Sequence, residues 1–171
     1  VIAQVDRIEA MASDNTEVTF GQCMEAAFDE AANRSIHGDP IRENRAAILA
    51  LSYLIAHKKV GAVLSSDPPK LTDASNAKLR RVNLRGRRDW AQHFTLSAAL
   101  EVLSGASVSR DLGILKEELD ADGGSGFSFG DLLADRSGTM MAIKSTGSEQ
   151  LARAMQDRIR AGFNEEDFIP E

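Results

Sequence analysis

The sequence predicts an all-α protein, a single-domain irregular bundle of about six to eight helices. Three observations predict it. Ala and Leu are abundant while aromatic residues make up 5% of the chain, a composition that favours helix and is poor material for a β-sandwich. Helix-start signals recur, each followed by apolar residues at three- and four-residue spacing. No segment alternates convincingly as a strand; VGAVLSS (60–66) is the one β-like run, and it is short.

The elements follow in order. Thr19-x-x-Gln22 is a capping-box pattern, and Met24, Ala27, Phe28 and Ala31 follow at helical spacing. Asp39-Pro40 reads as N-cap and first helical position. The helix it opens carries Ile41, Ala46, Ile48, Leu49, Leu51, Leu54 and Ile55, is apolar on more than one side, and is expected at the centre. SSDPPKLTDASN (65–76) is turn-rich, and its two prolines forbid a helix there. The expected organisation is N-terminal helices over 1–65, a linker over 66–77, and a motif-bearing helical core over 84–171 packed against the first part. In that core a helix is expected from about Arg87 to Ser104 with Gly105 as its stop. Another is expected over about 109–121, broken by Gly123, Gly124 and Gly126. Ser128-x-x-Asp131 is a capping box for a helix over about 129–143, and Thr146-x-x-Glu149 is expected to open the last long helix, to about Arg160.

Charge and cysteine content exclude several classes. The chain of 171 residues is 43% hydrophobic and 27% charged with a net charge of −6. That is a globular composition, and its acidic balance argues against a general nucleic-acid binder. The single cysteine, Cys23, excludes an internal disulfide framework and a multi-thiolate metal site. Without an arranged histidine it reads as a small buried apolar residue. The apolar run AAILALSYLIA (46–56) is far short of a membrane span and ends at His57-Lys58-Lys59. No secretory leader stands at Val1, and the abrupt end at FIPE fits a piece of a longer protein. The compartment, cytoplasm or periplasm, stays open, as does the oligomeric state.

Polar residues that could do chemistry crowd three segments: RRDWAQHF (87–94), GILKEELDAD (113–122) and GSGFSFGDLLADRSG (124–138). His93 has Asp89 and Ser97 one turn away on the same helical face. Glu117 and Asp120 share a face of the next helix, and Asp131 and Asp135 share a face of the third. If the three helices pack together, one imidazole and up to four carboxylates converge. Divalent cations take such oxygen and nitrogen ligands, which makes His93, Glu117, Asp120, Asp131 and Asp135 the candidate metal ligands. Two carboxylates in one pocket can instead do acid–base work, with His93, Glu117 and Asp135 as the catalytic candidates. A blander account fits the same residues. Seven acidic residues and one lysine lie between 111 and 135, and six basic residues lie between 78 and 88. The two blocks can pair, or solvate two faces. Asp131 and Ser128 have work as caps, and His93 beside Trp90 and Phe94 fits a satisfied, half-buried histidine.

Two familiar motifs overlap here. Gly126-Phe127-Ser128-Phe129-Gly130 fits G-x-S-x-G, but no strand precedes the serine and the nearby histidine stands before it in the chain, so an N-cap is the better role for Ser128. Asp120, Asp122 and Asp131 fall at positions 1, 3 and 12 of an EF-hand-like loop. Ser125 stands where the turn wants glycine, and Asp131 replaces the longer bidentate glutamate.

LRGRRDWAQHFTLSAAL, GILKEELDADGGSGFSFGDLLADRSG and the later DFIPE resemble an uncharacterised family of bacterial proteins that shares an HF-x-x-S helix, a G-x-x-KE segment and GSGFSF-x-DL-x-AD-x-x-G. The resemblance spans about residues 84–171, and the order His, Glu, Asp-Leu-x-Ala-Asp-x-x-Gly is remotely similar to VanZ-like proteins and small envelope lipoproteins. It implies that His93, Lys116, Glu117, Asp131 and Asp135 are the family's polar motif residues, and it brings no established mechanism. Three functional expectations follow: a metal-dependent or acid–base hydrolase; a non-enzymatic structural or interaction protein with a buried salt-bridge network; and a calcium-stabilised helical module on Asp120, Asp122 and Asp131.

Overall fold

The computed structural model describes residues 1–56, 69–104 and 129–169. Among these there are eight helices and no strand. They are α1 (Ile2–Asp14), α2 (Phe20–Arg34), α3 (Pro40–Ile55), α4 (Asp73–Leu79), α5 (Arg88–Ser104), α6 (Phe129–Thr146), α7 (Glu149–Arg160) and α8 (Glu165–Phe168). The protein is an all-α bundle. The β-like run at 60–66, the helix expected over 109–121 and the stop at Gly105 lie outside the described residues.

The cap signals explain where several helices start. The Thr19 hydroxyl accepts from the Gln22 N–H while the Gln22 side chain accepts from the Thr19 N–H, a complete capping box for α2. The Asp39 carboxylate accepts from the Ile41 and Arg42 N–H groups with Pro40 in the first turn of α3. Two expected boundaries are corrected. The stretch read as linker to residue 77 carries α4 from Asp73, because the Thr72 hydroxyl caps the Ser75 N–H beyond the reach of the prolines. The last long helix starts after Ser148, whose hydroxyl accepts from the Leu151 N–H. Thr146 matches the same sequence pattern, but it closes α6, and its hydroxyl bonds back to the Ala142 carbonyl at 2.8 Å.

One apolar cluster draws on α1, α2, α3, α5, α6 and α7. Helix α3 lies at its centre, as its broad apolar surface requires, touching α1, α2, α5, α6 and α7. Phe20 of α2 meets Phe94 of α5 edge-to-face at 5.5 Å. Cys23 is fully buried in this cluster, and burial pushes its thiol pKa up to about 12.

The cluster holds a polar inset. Asn44 of α3 donates to the Ser145 and Ala152 carbonyls at 2.9 and 3.0 Å, and accepts from Gln156 at 2.8 Å. Gln156 in turn accepts from the Ser35 hydroxyl at 3.2 Å. These bonds satisfy backbone carbonyls around the turn between α6 and α7 and fix that turn on α3.

The turn before α5 places the site. Arg85 and Gly86 both have positive φ, 54° and 75°, and an isolated antiparallel bridge joins Leu84 to Arg87. Such a turn normally needs small or Asx residues. Here α8 holds it: Glu165 accepts from the Arg85 N–H at 2.7 Å and Glu166 pairs with the Arg85 guanidinium at 3.2 Å.

Candidate functional site

Helices α5 and α6 form the most extensive helix pair of the described structure. Small residues bring them close. A Cβ placed on Gly138 would stand 2.0 Å from the Phe94 carbonyl oxygen, and Ala134 and Ala142 continue the same buried face of α6. About two turns nearer the N-terminus of α6, a Cβ on Gly130 would stand 2.5 Å from the Trp90 ring. No side chain fits at either glycine without moving a neighbour.

This approach lets polar side chains meet across the pair. His93 and Ser97 stand one turn apart on α5, and Asp135 comes from α6. His93 Nδ1 lies 3.0 Å from Asp135 Oδ1, and the Ser97 hydroxyl donates to the same oxygen at 2.7 Å. With Nδ1–H given to the carboxylate, Nε2 is the ring atom left for other chemistry. Among the described residues it makes no hydrogen bond. The Asp135 hydrogen bond raises the His93 pKa above its ordinary value of 6.5; burial opposes that rise, and the charges of Asp135, Asp131 and Asp89 add to it.

A second polar group flanks the first. Arg87 pairs with Asp89, with one bond at 3.1 Å from Nε, and reaches Asp131 on α6 at 3.3 Å. Its guanidinium stands 5.0 Å from the centre of the Trp90 ring. The Asp89 carboxyl is held below its usual range, chiefly by the Arg87 hydrogen bond. Trp90 Nε1 is buried without a partner among the described residues.

The sequence-predicted residues therefore separate. His93 and Asp135 are brought together, with Ser97 completing the group. Asp131 does not join them, because Arg87 takes its carboxylate, and Asp89 is turned to the same arginine. Glu117, Asp120, Asp122 and Ser128 lie outside the described residues. Among those described, no group of three or more His, Cys, Asp or Glu side chains is gathered as a metal would need. The basic run 78–88 finds varied partners: Arg87 meets Asp131, Arg85 meets Glu166, Arg88 donates to the Arg80 carbonyl, and Lys78 donates to the Ala12 and Asn15 carbonyls at 2.8 Å each. The Arg87–Asp131 contact is one instance of the expected pairing of the basic and acidic blocks, whereas sequence reasoning missed the two close-contact glycines. A glycine inside a helical pattern was the available signal for them.

A wider groove of about 720 Å³ lies elsewhere, among α1, α2 and α7. Asp29 is bridged there by Arg7 and Arg160 at 3.3 and 3.1 Å. No helix among the described residues is long and apolar enough to cross a membrane. The chain matches no protein-family model, no curated protein and no solved structure.

Proposed function

We propose that the protein is a hydrolase in which His93 Nε2 transfers a proton or binds a divalent cation, oriented by Asp135, and that it belongs with the bacterial proteins whose His, Glu and Asp motif it resembles. The observation that supports this reading is the shared oxygen of Asp135: 3.0 Å to His93 Nδ1 and 2.7 Å to Ser97 Oγ. A carboxylate on Nδ1 fixes the tautomer, aims Nε2 outward and stabilises the imidazolium that forms when Nε2 takes a proton from water. The same carboxylate–histidine pair serves a metal, where it raises the basicity of the ligating nitrogen. Ser97 is a positioning residue here; its hydroxyl donates to Asp135 rather than to the imidazole, so it is not set up as a nucleophile. Glu117 and Asp120 are the residues proposed to complete the site.

The test is a histidine titration by NMR on the wild type and on Asp135→Asn, repeated with zinc, alongside hydrolysis assays on ester, phosphoester and peptide substrates. Three histidines keep the spectrum assignable. The reading expects His93 to titrate above its ordinary value, Asp135→Asn to bring it down, and His93→Gln to abolish hydrolysis while the fold persists. Hydrolysis equal in the wild type and His93→Gln would refute it.

A second reading has its own support. Arg87, just before α5, reaches Asp131 of α6, and His93 of α5 reaches Asp135 of α6, so the pair of contacts serves equally as a latch in a non-enzymatic protein. That reading expects His93→Gln to lower stability with no activity to lose. The calcium-loop reading is weakened, because Asp131, its position-12 ligand, is already paired with Arg87.

A further inference from the structure

The outer side of α6 carries apolar residues that the described helices leave exposed. Leu132 is 50% exposed, Met140 42%, Ile143 42% and, across the turn on α7, Leu151 49%. Beside this stripe runs a groove of about 200 Å³ between α6, α7 and α8. Its floor is Met140, Met141, Met155 and Phe168. Methionines make an adaptable apolar floor, one suited to holding a partner's aliphatic side chains.

The charge around the groove is one-sided. Arg136, Lys144 and Arg158 rim it, against the single carboxylate of Asp167. Arg158 pairs with Asp167 at 3.3 Å. Neither Arg136 nor Lys144 has an acidic partner among the described residues. Among the described residues, two cations without an acidic partner therefore flank an exposed apolar stripe, on a chain whose net charge is −6.

We propose that this face docks an acidic amphipathic helix of a partner protein, with its apolar residues on the methionine floor and its carboxylates on Arg136 and Lys144. The stripe from Leu132 to Ile143 spans about three turns, the length over which a helix lays anchors at i, i+3 or i+4, and i+7. Two other occupants fit less well. A second copy on the same patch would bring four cations to one interface with no free carboxylate between them. An anionic bilayer is held by clusters of more cations than these, and it repels the remainder of an acidic chain.

The experiment uses the full chain and a synthetic amphipathic helix of about 18 residues, five turns, built of Leu at helical spacing and Glu elsewhere, with a twin carrying Lys in place of Glu. Fluorescence anisotropy of the labelled peptides is read against protein concentration. The Glu peptide is expected to bind saturably, to weaken as salt rises, and to bind at least about tenfold tighter than the Lys twin. Arg136→Glu with Lys144→Glu is expected to reverse that preference, and Met140→Glu to weaken both peptides. Met140 is partly exposed, so that variant retains its fold if the double reversal does not. Equal affinity for the two peptides, or none for either, overturns the proposal. So does sedimentation as a dimer that the double reversal dissociates. Binding to phosphatidylserine vesicles with no binding to the Glu peptide also overturns it.

Discussion

At the scale of single residues, the chemistry turns on one imidazole and the carboxylate that holds it. His93 has a raised pKa in the folded protein, with the Asp135 hydrogen bond as the largest cause. The sign of the linked stability follows. Below the ordinary histidine value the ring is charged in both the folded and the unfolded chain, and the pair contributes fully. As pH rises through the folded pKa the proton leaves and that contribution is lost. The side chains of His93 and Asp135 are 23% and 35% exposed, so solvent holds the effect within about 1 kcal/mol. Urea unfolding of the wild type and Asp135→Asn at about pH 5.5 and about pH 9 is expected to show the larger difference at the lower pH. A difference that grows with pH would sink the pairing. The meeting of His93 and Asp135 was half legible in the sequence. Helical spacing placed His93 and Ser97 on one face and Asp131 and Asp135 on another. Spacing names a face and not its partner; the charge blocks 78–88 and 111–135 offered a pairing, but not that one arginine, Arg87, would draw both Asp131 and Asp89 aside.

At the scale of helices, the spacing of α5 and α6 decides whether the site exists. Gly138 sets it by leaving room for the Phe94 carbonyl. Gly138→Ala is expected to cost about 1–3 kcal/mol, since an added methyl would force the two helices apart. It should also lower the His93 pKa by lengthening the bond to Asp135. Thermal unfolding checks the first effect, and the His93 titration checks the second. An unaltered melting temperature would show that the crossing is looser than the geometry indicates. The helix starts were the most readable elements, because a cap is a local bond between near neighbours. Thr19 with Gln22, and Asp39 with Pro40, behave as their patterns require. Thr146 shows where such a pattern fails: a hydroxyl in the last turn of a helix has a carbonyl four residues back already within reach, and it takes that bond first.

At the scale of the whole molecule, a few long-range polar bonds tie the helices into one bundle. Asn44 alone connects α3 with the end of α6 and with α7, through partners about a hundred positions away. Asn44→Ala would remove the side-chain donor to the Ser145 and Ala152 carbonyls and leave the Gln156 amide N–H without a partner in the interior. An orphaned group costs about 1–3 kcal/mol, so chemical denaturation should show a loss at the upper end of that range or beyond. A loss under about 0.5 kcal/mol would mean that the inset contributes little. The all-α class was legible because composition and caps are summed over many residues. The inset was not, since a buried Asn looks like any surface Asn until its distant partners are known. One consequence reaches the entire fold. Cys23 is the only thiol of the chain, fully enclosed and hardly ionised at neutral pH. A thiol-reactive dye can reach it only when the molecule opens, and with a dye slow enough for reclosing to win, labelling follows the population of the open form. The protein thus carries its own gauge of integrity. Each loss of about 1.4 kcal/mol should quicken the reaction about tenfold, and every substitution named above can be ranked with one reagent under native conditions.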